Sequence, residues 1–122
     1  MRILVIAGFV ALGAVYFSSC SKDKVSVGPV VDPECPDTIS FANTIEPLID
    51  QNCATSGCHG GGSAAGGYNL EGYSNVNIFA QQMLSTMRHE QGFTAMPFSA
   101  PQLPDSLIKK FGCWIKQGKL NN

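Results

Sequence analysis

Charge is scarce in this chain of 122 residues: Asp, Glu, Lys and Arg make up 14% of it, eight basic residues nearly balance nine acidic ones, and the formal net charge is −1. So weakly acidic a surface offers a polyanion no footprint, which argues against nucleic acid as a partner. Histidine is scarcer still, at two residues. That is few for a hydrolytic metal centre, and no serine, histidine and carboxylate stand in a nucleophile motif, so the chain is expected not to be an enzyme. No Gly-Lys-Ser/Thr follows the glycine-rich run 60–67 and no strand precedes it, so close passage of backbone beside a flat cofactor, or a flexible loop, explains it better than a phosphate-cradling loop. Nor is any apolar stretch long enough to cross a bilayer comfortably, since residues 3–17 fall short of the roughly 20 that a spanning helix needs.

That apolar stretch has a different reading. Arg2 precedes it, and Ser18, Ser19 and Cys20 close it. A basic residue, a short apolar run and small residues make a secretory signal. The segment resembles a bacterial lipoprotein signal, in which the cysteine is acylated and becomes the first mature residue, although Phe17 stands where leucine is usual. Residues 1–19 are therefore expected to be removed, and Cys20 to carry lipid at the periplasmic face of a bacterial membrane. An uncleaved single-pass anchor is the alternative. From Ser21 to Asp37 the chain holds charges, Gly28, Pro29, Pro33 and Pro36 with no lasting apolar period. Residues 20–37 read as a flexible tether and 38–122 as one folded domain, with Asn121 and Asn122 read as the end of a complete chain.

Export also bears on the five cysteines, because thiols outside the cytoplasm are normally oxidised or occupied. With Cys20 assigned to lipid, four remain, read as Cys53 with Cys58 and Cys35 with Cys113. The first pair lies in Cys53-Ala-Thr-Ser-Gly-Cys58-His59. Two thiols with an imidazole directly after the second are the means by which a chain holds haem covalently, through thioethers to both vinyl groups and the histidine on the iron. Two residues usually separate the cysteines, and here there are four. The spacer must bulge, which small Ala54, Thr55 and Ser56 and permissive Gly57 allow. A disulfide or a zinc ligand set would use the same residues, and parity does not choose among them.

A second chemical position is Met96, in Gly92-Phe93-Thr94-Ala95-Met96-Pro97. A thioether is a soft ligand suited to the iron face opposite histidine, and a following proline stiffens the loop that presents it. Met83 and Met87, four apart, follow the spacing of core packing. His89, between Arg88 and Glu90, reads as a solvated histidine and as the other rival for the iron.

Helical periods surround these positions. Phe41, Ile45, Leu48 and Ile49 fall on one face of a first helix expected over 45–52, with Thr44 as N-cap and Pro47 within the first turn. Short helices are expected over 73–82 and 83–89. The clearest period belongs to 104–117, where Leu107, Ile108, Phe111, Trp114 and Ile115 face inward and Lys109, Lys110 and Lys116 outward. Cys113 projects on the outward side, placed to meet Cys35 in the tether.

Taken together, these residues resemble a small monohaem c-type cytochrome of the class I kind. The chain is more closely similar to haem-binding lipoproteins of Bacteroidetes-like bacteria, which carry a Ser-Phe-x-x-x-Ile-x-Pro helix before the cysteines and a later Met-Pro. Here these are Ser40, Phe41, Ile45 and Pro47, then Met96 and Pro97, with Trp114 in the closing helix, over residues 38–122. The resemblance implies an all-α fold of about four short helices around one haem c, with first and last helices crossing beside it. It further implies Cys53 and Cys58 as haem thioethers, His59 and Met96 as axial iron ligands, and single-electron exchange with redox partner proteins. Two other functions use the same residues: a haem-free binding lipoprotein with Cys53 and Cys58 in a disulfide, and a haem enzyme or gas sensor with an open sixth position.

Overall fold

The computed structural model describes residues 34–122. The signal segment, Cys20 and most of the tether lie outside these residues. The described chain is helical, with no strand. A π-helical turn, Phe41–Ile45, runs directly into α1, Glu46–Asn52, and is followed by a 3-10 turn at Ala65–Gly67, then α2, Gly72–Met87, and α3, Asp105–Lys116. Among the described residues no helix is long and apolar enough to cross a membrane.

The first helical segment begins at Phe41, where its apolar period starts and four residues before the start that a Thr44 cap implied. Ser40, in extended conformation, is the N-cap, and its side chain accepts from the Asn43 N–H. Thr44, the cap expected from sequence, lies inside the helical run. Pro47 accounts for the wide opening turn: its ring would meet the carbonyl four residues back in a regular α-helix, and the chain instead makes i→i−5 bonds, such as Ile45 N–H to Ser40 O at 3.3 Å. The two short helices expected over 73–82 and 83–89 are one. Val76, Phe79, Ala80, Met83, Leu84 and Met87 continue a single stripe without Gly or Pro between them, so nothing breaks α2.

The two ends of the described chain are clasped together. First-turn N–H groups of a helix have no internal acceptor, and here the Phe41 N–H donates to Asn122 Oδ1 at 3.0 Å and the Ala42 N–H to Asn122 O at 2.9 Å. Phe41 packs on Trp114 with ring centroids 5.7 Å apart, and Phe111 on Trp114 at 5.6 Å. Ile45, Phe111 and Trp114 are wholly buried. Such aromatic pairs add about 0.5–1.5 kcal/mol each beyond their burial. Trp114 also donates its indole N–H to Leu120 O at 2.9 Å, so its polar atom is satisfied.

A disulfide joins Cys35 to Cys113 across 78 positions of sequence. It pins residues 34–37 against the outer side of α3, where Lys116 pairs with Glu34 at 2.8 Å and Gln117 donates to Asp37 O at 2.8 Å. Cys113 does face away from the apolar stripe, yet it is buried, because the segment carrying Cys35 covers it.

Candidate functional site

Cys53 closes α1, and the eight residues after it fold back on themselves. The His59 N–H reaches Cys53 O at 3.1 Å, and the Cys58 N–H reaches Thr55 O at 3.0 Å. The four-residue spacer bulges at Gly57, whose φ of +84° is left-handed and suits glycine. Gly60 is required for a different reason: a Cβ there would fall on the Ala54 carbonyl oxygen, so only glycine lets the two backbone strands meet. Beyond it Ser63 ties the loop, accepting the Gly57 N–H at 3.0 Å and donating to Gly60 O.

His59 is the most constrained residue of the loop. Besides its N–H bond to Cys53, its carbonyl accepts from the Leu70 N–H at 2.9 Å. Its ring Nδ1 lies 3.0 Å from Tyr68 O. A carbonyl can only accept, so Nδ1 carries a hydrogen, and in the neutral ring the lone pair is the one on Nε2. Fixing one ring nitrogen through a backbone carbonyl is the arrangement that orients metal-ligating histidines. The Tyr68 ring stands edge-on to His59 and to Phe79, with centroids at 6.4 and 5.0 Å.

These residues form one wall of a cleft of about 880 Å³, within the size range of small-molecule and cofactor sites. Cys53, Cys58 and His59 lie on the loop side. Phe79, Met83 and Met87 come from α2, and Phe93, Met96 and Phe98 from the loop before α3. No Asp, Glu, Lys or Arg lines it. Both thiols are free, with Cys53 half-buried and Cys58 exposed. Burial, with a smaller contribution from the neighbouring Cys58, pushes the Cys53 thiol up to about 11.

Of the sulfur and nitrogen rivals to Met96, Met83 and Met87 are buried members of the central apolar cluster. His89 is not among the cleft-lining residues, and its ring Nε2 lies 3.1 Å from Met96 O. Cys35 and Cys113 line a separate, charge-rimmed groove of about 520 Å³ on the outer side of α3. Two contacts had no sequence signal: Tyr68 O on His59, nine residues along the chain, and His89 on Met96.

The sulfur and imidazole donors lining the cleft are two thiols, one imidazole nitrogen and three thioethers, of which only that of Met96 lies outside the buried apolar cluster. Among the described residues no group of three or more His, Cys, Asp and Glu could hold a bare metal ion. A flat apolar cofactor that brings its own equatorial ligands fits this donor set and these uncharged walls. Comparison with known proteins gives no match, whether to a family model, a curated protein or a solved structure.

Proposed function

We infer that residues 38–122 hold one haem c, attached through Cys53 and Cys58 with His59 and Met96 on its iron, and that the protein is an electron carrier. Its address in this reading is the periplasmic face of a bacterial membrane, with Cys20 lipidated and redox proteins as partners. When bound, the haem supplies an iron that passes between ferrous and ferric and so stores one electron.

The observation that carries the reading is the bond from His59 Nδ1 to Tyr68 O, which leaves the Nε2 lone pair available on a residue of the cleft that Met96 also lines. The chain's own contributions are positional. The Tyr68 carbonyl holds the His59 Nδ1 hydrogen in place, the Tyr68 ring, itself packed on Phe79, stands edge-on to the imidazole, and the folded spacer presents Cys53 and Cys58 at the same cleft. The uncharged, largely apolar walls suit a flat apolar group, and a thioether from Met96 together with an imidazole from His59 would favour the reduced iron more than two imidazoles would. With His59 and Met96 both holding the iron, the site would favour carrying electrons over binding oxygen or peroxide.

Met96→Ala, expressed with c-type maturation machinery, tests the assignment. It should keep covalent haem on a denaturing gel and lose the far-red band of sulfur-ligated ferric iron. A band that persists in Met96→Ala would remove Met96 from the iron.

A further inference from the structure

Within the haem reading, the geometry points to His89 as the positioning residue that holds Met96 at the cleft. The Met96 peptide is gripped from both sides. Its N–H donates to Thr86 O at 3.1 Å, and its carbonyl lies 3.1 Å from His89 Nε2. Because that carbonyl only accepts, His89 Nε2 carries the hydrogen. The grip is built on the end of α2. Thr86 is in the last turn, its hydroxyl bonded to Met83 O at 2.8 Å, and Arg88 is the C-cap. His89 then takes a φ of +54°, a left-handed conformation uncommon for residues other than glycine but one that histidine visits more readily than most.

That turn puts the imidazole beside residue 96 and closes the segment 89–96 into a ring. Its start is tied to the end of α2 by the His89 N–H to Thr86 O at 3.2 Å, the Glu90 N–H to Ser85 O at 3.1 Å and an Arg88–Glu90 ion pair at 3.6 Å, and the stretch beyond Glu90 has less to hold it. Gly92, Phe93 and Thr94 are exposed, and within 89–95 its inner backbone bond is Phe93 N–H to Glu90 O at 3.2 Å. Without the His89 bond, Met96 would keep one main-chain anchor of its two. A thioether is a weak ligand, so the placement of its backbone decides whether it competes with water or an added base for the iron. His89 thus acts on the iron through Met96 and does not touch it.

The experiment compares wild type with His89→Ala, His89→Gly and His89→Gln, all matured with haem. The amide nitrogen of glutamine can stand near the position of histidine Nε2 and donate to the same carbonyl, whereas glycine relieves the left-handed backbone and donates nothing. Ferric protein is titrated with imidazole, which displaces the methionine, and the far-red band is followed on warming. His89→Ala and His89→Gly should keep covalent haem, bind imidazole roughly three- to tenfold more tightly, as expected for one lost hydrogen bond, and lose the band at lower temperature. His89→Gln should restore both. Hydrogen exchange over residues 88–97 of the wild-type and variant proteins gives a readout independent of the spectrum, and it should quicken in the alanine and glycine variants only. Unchanged imidazole affinity and exchange in His89→Gly would overturn the inference while leaving the haem intact. A wild type without covalent haem would overturn the parent reading, and this one with it.

Discussion

At the scale of single residues, the two cysteines of the spacer differ although they serve one proposed purpose. Cys53 is half-buried at the end of α1 and its thiol is pushed up to about 11, while Cys58 is exposed. In the haem-free chain, iodoacetamide near pH 8 should alkylate Cys58 well before Cys53, because the thiolate is the nucleophile and burial withholds it. Equal rates under native conditions, measured by peptide mass spectrometry, would contradict the structure; equal rates in denaturant are expected. The sign of the pH effect follows from the same shift. Below the ordinary thiol value of 9.0 Cys53 is protonated whether folded or unfolded, and between 9.0 and about 11 the unfolded chain loses its proton first. Folding stability of the haem-free form should therefore fall as pH rises through that window, by at most about 2–3 kcal/mol.

At the scale of elements, the bulged spacer stands or falls with Gly60. Gly60→Ala would drive a Cβ into the Ala54 carbonyl, and since backbone cannot give way as a side chain can, the His59 to Cys53 bond must open. We expect a loss of about 3 kcal/mol in thermal unfolding, the upper end of overpacking costs because the clash is with backbone, and a marked fall in attached haem. Gly62→Ala is the control, since nothing lies within 4 Å of its Cβ position and its φ of +77° alone should cost about 1 kcal/mol. If the two variants melt alike, the close approach at Gly60 is not what shapes the loop.

The elements also show what could be read in advance. The period of Leu107, Ile108, Phe111, Trp114 and Ile115 specifies α3, because such spacing buries one stripe in any helical packing. The stripe from Val76 to Met87 carried equal information, but its division into two helices had no breaker residue to justify it. The π-turn at Phe41–Ile45 could not be read, since a proline states only that a regular turn is disfavoured and not how the chain will widen it. Cys53, Cys58, His59 and Met96 were legible as types and order. Their common cleft was not, because it depends on how α2, which supplies Phe79, Met83 and Met87 to it, packs against the loops that carry them. Contacts made through backbone carbonyls, from His59 to Tyr68 and from His89 to Met96, leave no mark in side-chain spacing at all.

At the scale of the whole molecule, a small domain keeps a cleft of about 880 Å³ open beside its core and staples its far side with a disulfide. With so little apolar area to spare, filling that cleft would add substantially to stability. The Cys35–Cys113 bridge acts on the other face, restricting the unfolded chain across 78 positions. Replacing both cysteines with serine should destabilise the domain by about 2–4 kcal/mol in denaturant and leave haem content per folded molecule unchanged. A double variant that folds normally but loses its cofactor would tie the disulfide to the cleft, against this division of labour.

The central claim is covalent attachment of one haem at Cys53 and Cys58, and the most direct test is the intact mass of the mature protein, expressed from the whole sequence with c-type maturation machinery. The account predicts a denatured polypeptide heavier by one haem, coloured, with neither Cys53 nor Cys58 open to alkylation. A folded, colourless protein whose mass is that of the polypeptide and lipid alone, with both thiols alkylated or joined to each other, would contradict it.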